Sequence, residues 1–597
     1  MTTDASTKTT KPFAAAAAKL PKYEGEQFNG ATKECDAIMK GGITSGIVYP
    51  YAILEIATRY RFRSLGGTSA GAIAAAFAAA AEYARSVHND PQGFVRLQAY
   101  CNSLPKILLS LFQPDREFGP AIRLLKRGAI GGAVAVGGFV VARVALVCVA
   151  GGALGWLFAR LQHAAPWTAI TIGALAGALL GLLAVPFLTL YRPVARARDR
   201  LLANGFGACS GLTVDPAGPA ALTDWLHSAL QDIAFGDRDH PEVLTFGHLE
   251  KPTNNAPPIF LRMVTTNLSM GRPHTLPQLG IQAGYRPEEW GALFPAPVLA
   301  HLKSKSGPWN GVKGVRRIPQ GNELPVICAV RMSLSFPLLF KAIPVVTFDH
   351  EFRSVAKALG QQNAKSRLCT VWLSDGGLSS NFPIHLFDSP LPSRPTFAIS
   401  LDALQTDPAA VHKRVMLPQT SQEGSGIQVT DIKSLSDFGW QVLTAAKDWQ
   451  DQLSSEITGQ RERVARIFLD RNEGGLNLAM PESVSTSLML YGLEAGRLFR
   501  TQFNFDEHRW RRMLGVYRNT GDWLDRAGKT WTDGFGAWFA GYRTKVSSYK
   551  KVTVSDRALM AKQFSALAAA TSGRQTIKRL DDKFPANTGQ LRVTGRY

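Results

Sequence analysis

The sequence predicts an α/β protein that carries an inserted apolar helical hairpin and a mainly helical C-terminal region. Three observations lead there: short apolar strands that end in glycine-rich turns opening helices, a long uncharged segment within the chain, and helical amphipathicity beyond residue 403. At 597 residues the chain exceeds one ordinary domain. The expected divisions are a disordered lead (1–30), an α/β domain in two parts (31–127 and 192–403), a transmembrane hairpin (128–191), a helical region (404–570) and a flexible basic tail (571–597).

The lead is rich in Thr, Ala and Lys and has no apolar stretch adequate for a signal peptide. Cys35 to Met39 then reads as a compact strand, followed at once by Gly41-Gly42 and a helix from Ser45 to Arg59. Adjacent glycines leave successive N–H groups unobstructed at a helix start, which makes an anion nest. The Walker lysine and the full G-x-G-x-x-G spacing are both missing, so an oxyanion fits the nest better than a nucleotide. Arg61 to Leu65 reads as a second strand, and Ala70 to Val87 as an alanine-rich helix. Ser69 falls at their junction, inside Gly67-Thr-Ser-Ala-Gly71. A serine there stands on a sharp strand-to-helix turn, with the helix N-terminus favouring an alkoxide or oxyanion. The alternative is a plain capping serine on a small-residue helix.

Much further on, Leu368 to Leu373 forms a strand with Asp375-Gly376-Gly377 at its end, where α/β sheets present functional groups. A carboxylate at that place can take a serine proton directly; an ordinary Asp-Gly turn is the alternative. No histidine occurs in any of these strings, which favours a Ser–Asp dyad. A triad would draw on His385, His412 or His508, none with a distinctive neighbourhood. His227 and His240 lack the spacing of a metal-binding pair.

In this order, Lys40-Gly-Gly-Ile-Thr-Ser-Gly46, Gly67-Thr-Ser-Ala-Gly71 and Ser374-Asp-Gly-Gly377 resemble the motifs of the patatin-like phospholipase family. Arg331-Met-Ser-Leu-Ser-Phe-Pro337 resembles the family's Ala/Ser-Pro segment. Asp375-Gly-Gly-Leu-Ser-Ser-Asn381-Phe-Pro383 resembles its D-G-G-x-x-x-N-x-P ending. The resemblance runs from about Cys35 to Ala403 and implies a three-layer α/β/α domain. By that resemblance Ser69 is the nucleophile, Asp375 the general base, and the amides of Gly41, Gly42 and Ile43 the oxyanion hole. Gly67 and Gly71 are then the elbow glycines, and neither a metal nor an organic cofactor is needed. The chain departs from the family in carrying Ile43 in place of a third glycine and Ser45 in place of a basic residue. The implied activity is hydrolysis of membrane phospholipid or lysophospholipid esters through an acyl-enzyme. An acyltransferase using the same dyad, or a catalytically weak lipid- or partner-binding scaffold, are the other readings.

Thr168 to Leu190 contains no charge over 23 residues, enough for a membrane-spanning helix. Val140 to Ala159 would be its partner, with Arg143 near one interface, Trp156 and Trp167 bracketing the turn, and Gly173, Gly177 and Gly181 on a packing face. A buried soluble hairpin is the alternative. Arginines flank the segment on both sides, which orients both ends toward the cytoplasm and suggests an integral protein of a bacterial inner membrane. The net charge of +21 points to an anionic lipid surface, and no nucleic-acid-binding signature accompanies it. The six cysteines are scattered without C-x-x-C pairs, as in a reducing compartment. Beyond residue 403, Thr430–Thr458 and Val484–Phe503 read as helices and Val464–Leu469 as a strand, with Trp510, Trp523, Trp531 and Trp538 as core residues of a helical appendage; rings at the headgroup level of a membrane are the alternative.

Overall fold

The computed structural model describes residues 20–115 apart from Ile43, 199–407 apart from Asn310, 411–420, most of 460–541 and 553–572, with isolated positions between. Strand β1 (Lys33–Met39) leads to helix α1 (Tyr49–Ala57), then to β2 (Tyr60–Gly67), α2 (Ala70–Val87) and α3 (Gln92–Leu111). From Cys35 onward β1 is buried, as a strand flanked on both sides by parallel neighbours must be. Helix α2 is mostly alanine, which favours the helix and leaves little side-chain bulk between it and the sheet. Its buried charges, Glu82 and Arg85, form an ion pair. The Arg85 guanidinium also donates to the carbonyls of Phe28 (3.1 Å), Ala57 (2.8 Å) and Tyr60 (2.9 Å). The buried charge is thus fully engaged, and it ties the end of α2 to the end of α1.

The second part supplies β3 (Gly207–Cys209), α4 (Leu222–Phe235), β4 (Phe260–Asn267), β5 (Arg272–Leu276), β6 (Gly284–Tyr285), β7 (Arg316–Arg317) and α5 (Val326–Ser333). Strands β8 (Leu338–Phe340), β9 (Ile343–Asp349), β10 (Arg367–Asp375), β11 (Thr396–Ala403) and β12 (Val415–Met416) follow. After them come β13 (Val464–Leu469), α6 (Glu482–Thr501), α7 (Phe505–Thr530) and α8 (Val554–Ser572). Eleven strands form one mixed sheet in the order β12-β13-β11-β1-β2-β4-β10-β9-β6-β7, with β5 paired to β4; β3 and β8 pair separately. Its centre, β13-β11-β1-β2-β4, is parallel, whereas β10 runs antiparallel to β4 and β9 to β10. The α/β class expected from the sequence holds.

Residues beyond 403 enter the body of this domain. Strand β13 pairs with β11 from Val464 to Leu469, and α6 lies along α1. The contact is close because Gly492 sits against the Val48 carbonyl and Gly496 against Ala52. Arg500 closes it with an ion pair to the buried Glu55 (2.7 Å). The helix expected at Thr430–Thr458 lies mostly outside the described residues.

The expected transmembrane hairpin at 128–191 is not supported. No helix among the described residues is long and apolar enough to cross a membrane, and 128–191 lies almost wholly outside those residues. The hydropathy reading counts apolar residues without asking whether the backbone favours one continuous helix. Gly128 to Ala159 holds eight glycines, and each disfavours a helix by about 1 kcal/mol relative to alanine. The assignment as an integral inner-membrane protein, with its catalytic domain and termini in the cytoplasm, rested on that hairpin and falls with it. The tryptophans also differ from expectation: Trp510 and Trp538 are exposed, while Trp523 and Trp531 are half-buried.

Candidate active site

The elbow forms where β2 ends and α2 begins. Ser69 has φ 55° and ψ −125°, a conformation rare for a residue with a side chain. Such a backbone costs on the order of 1–3 kcal/mol and persists only where the surroundings impose it. Here they do. The Ser69 N–H donates to the Ser333 hydroxyl (3.1 Å), which itself donates to the Val264 carbonyl (2.6 Å). Gly71 N–H bonds to the Thr68 carbonyl (2.9 Å), closing the turn. A side chain at Gly67 would strike the Gly71 backbone, and one at Gly71 would strike the Met39 carbonyl. The elbow therefore needs glycine at both places, for close approach of backbone to backbone.

Asp375 arrives from the opposite end of the sequence. Gly67 of β2 pairs with Met263 of β4, and two residues further along β4, Thr265 pairs with Asp375. The carboxylate therefore stands two strands over from β2, across β4, near the level at which β2 turns into the elbow. Its Oδ1 accepts the Gly377 N–H (2.7 Å), and its own N–H donates to the Ser335 carbonyl (3.0 Å). Further bonds join the three sequence strings: Thr68 Oγ1 donates to the Ser380 carbonyl (3.1 Å), Gly41 N–H to the Asn381 carbonyl (2.7 Å), and Ala70 N–H to the Gly42 carbonyl (3.2 Å). Ser69 and Asp375 are 3% and 4% exposed. The Ser69 hydroxyl donates to the Gly42 carbonyl at 3.5 Å, and no hydrogen bond joins it to Asp375 or to a histidine among the described residues. Such catalytic contacts are often long in a free enzyme and tighten around substrate.

The glycine loop is held from both sides. Gly41 spends its N–H on Asn381, and Ile43 lies outside the described residues. Thr44 bonds to the Gly475 carbonyl through its side chain (3.2 Å). Lys40 donates to the Leu401 carbonyl (3.2 Å) and stands 3.7 Å from Asp402. Burial pushes the Asp402 carboxyl up, but the charges of Lys40 and Arg466 and hydrogen bonds from Ser400 and Arg466 outweigh it and hold it below its ordinary value. His508, a base in the triad alternative, is buried beside Arg463, Arg512 and Arg511. Burial and those charges lower it to about 3.

Ser69 opens on a narrow apolar cavity of about 90 Å³. Its walls come from α1, α2, α3 and α4 and the Leu334–Phe340 segment, with Ile47, Ile73, Phe77, Leu108, Trp225 and Phe340 prominent; among the described residues no charged side chain lines it. Ser333 is a site residue that motif and spacing do not single out, although it lies in the Arg331–Pro337 segment. Arg331 supports that segment from beneath, donating to Ser335 Oγ (2.6 Å) and to the carbonyls of Ser210 and Lys341 (both 3.1 Å); burial lowers its pKa to about 10. Among the described residues, no group of three or more His, Cys, Asp or Glu is placed to hold a metal ion.

No known family profile matches the chain. The crystal structure of VipD from Legionella pneumophila aligns over 91% of this chain and 86% of its own, at 13% identity and a TM-score of 0.25, too low to inform fold or function. A protein of Rhizobium meliloti strain 1021 described as "RpoH suppressor" is 33% identical over 619 aligned positions, spanning 92% of this chain and 94% of that protein. Likeness at this level along nearly both whole lengths shows common descent: the chain belongs to the family of the Rhizobium RpoH suppressor.

Proposed function

We propose that the chain is a patatin-like serine hydrolase of lipid carboxylic esters. Ser69 attacks the ester carbonyl while Asp375 accepts its proton, and backbone amides of the glycine loop, Gly42 among them, stabilise the developing oxyanion. Collapse breaks the bond to the alcohol, which leaves with the proton from Asp375 as a lysolipid or free alcohol. Water, deprotonated by Asp375, then attacks the acyl-Ser69 ester and releases the fatty acid. The observation that carries the reading is Ser69 itself, held in a strained turn at the wall of a cavity without a charged side chain. Strain retained at one serine is expected where function requires it, and apolar walls suit an acyl chain, most simply that of a phospholipid or lysophospholipid.

One observation favours the weaker scaffold reading: the Gly41 N–H is already committed to Asn381. Labelling with a fluorophosphonate serine probe separates the two. Wild type should react and hydrolyse a medium-chain ester, while Ser69→Ala abolishes labelling and both Ser69→Ala and Asp375→Asn lower kcat/KM by roughly 10³-fold or more. A folded wild-type protein that neither labels nor turns over ester would remove the hydrolase reading and leave the scaffold.

A further inference from the structure

We infer that the aromatic groove between α7 and α8 is a reversible docking surface for anionic lipid headgroups and the acyl chains beneath them. Helix α7 continues past Thr530 through a wide turn at Trp531–Phe535, where Gly534 takes φ 132°, into a short helix at Gly536–Gly541. Helix α8 packs back along it, with Trp531 Nε1 donating to Ser565 Oγ (3.2 Å) and the Trp531 and Phe564 rings stacked at 5.2 Å. Between them lies an open groove of about 1030 Å³, walled by Trp523, Trp531, Phe535, Phe539, Met560 and Phe564. Among the described residues, Arg526 is the charged one in its wall.

Phe535 and Trp538 pair at 4.9 Å and remain 49% and 52% exposed, and Leu559, Met560 and Phe564 beside them are exposed as well. An apolar surface of this extent is rarely left to water without a partner. Charge identifies the partner. Residues 542–597 carry twelve Lys and Arg against three Asp, a net +9, and Lys529, Arg557 and Lys562 stand on the groove's own helices. Arg526, Lys529, Arg557 and Lys562, against Asp525, Asp533 and Asp556, give the groove's own helices a small positive excess beside the rings, which matches the headgroup layer, where rings bury and cations meet lipid phosphate. A single-stranded nucleic acid would also stack on rings beside cations, but the exposed aliphatic side chains of Leu559 and Met560 beside these rings suit acyl chains rather than bases. This is adsorption to a surface and involves no spanning helix. It goes beyond the hydrolase reading and stands without it.

Sedimentation of the full chain with vesicles tests it, with turnover not measured. The wild type should bind phosphatidylcholine vesicles containing phosphatidylglycerol, bind pure phosphatidylcholine far less, and detach as salt is raised. Phe535→Ser with Trp538→Ser should weaken binding about tenfold or more. Lys529→Gln with Lys562→Gln, which leaves the rings intact, should weaken it roughly fivefold for each charge removed. Thermal melting checks that both variants stay folded. Failure of the wild type to bind anionic vesicles overturns the inference. So does unaltered binding by the ring variant, or preferential binding to RNA or to an acidic protein through the same residues.

Discussion

At the residue scale, the site depends on one hydroxyl that has no place in the proposed chemistry. Ser333 accepts a hydrogen bond from the Ser69 N–H and donates its own O–H to the Val264 carbonyl, so it holds the elbow in its unfavourable conformation. Ser333→Ala leaves a buried donor unsatisfied, at a cost of about 1–3 kcal/mol. The expected outcome is a fluorophosphonate labelling rate reduced roughly tenfold while the fold persists, with Ser333→Thr restoring most of it. Equal rates for wild type and Ser333→Ala would show that the elbow needs no such support. Ser69, Gly67, Gly71 and Asp375 were legible because a turn between strand and helix leaves a local signature in small residues. Ser333 was not, because its role comes from a contact across 264 positions of sequence. Gly41 shows the reverse case: the sequence offers its N–H to an oxyanion, and the fold gives it to Asn381.

At the element scale, the strands and helices of the site were readable from apolar runs. Ala70–Val87 and Val464–Leu469 have the bounds the sequence suggests, and Cys35–Met39 needed only two more residues at its start. Partnership was less readable. Nothing local says that β13 joins β11, or that β10 runs against β4, since an apolar strand carries no label for its neighbour. The bedding of α6 on α1 is written only in Gly492 and Gly496, which read as helix-weakening residues until the facing backbone is seen. Gly492→Ala should force the two helices apart and lower stability by about 1–3 kcal/mol. Denaturant unfolding measures this; a neutral or stabilising result, the usual effect of Gly→Ala in a helix, would mean that α6 is free to move away.

At the scale of the whole molecule, a charged knot joins the C-terminal helices to the sheet domain. Asp388 accepts from Gln460 (2.6 Å), Arg463 (2.9 Å) and Arg512 (3.1 Å), and His508 is buried beside these arginines with its pKa lowered to about 3. The unfolded histidine, with its ordinary value of 6.5, takes up a proton that the folded one refuses. The linked stability is therefore complete above pH 6.5 and drains by about 1.4 kcal/mol per pH unit as pH falls toward the folded value. The melting temperature should fall between pH 7 and pH 5, and less steeply in His508→Phe; equal slopes would place the acid sensitivity elsewhere. Such long-range joins, like the family relationship, were invisible to motif reading, which covered the chain only as far as Ala403. The clasp of Thr44 on Gly475 bears on the birth of the protein. A ribosome releases Ser69 early and the Gly475 turn, with α6, only late. Until then the glycine loop has no ceiling and α1 has no bed. A chain grown just past Asp375 thus holds every proposed catalytic residue and still lacks a finished site, so the proposed chemistry waits for translation to draw to a close.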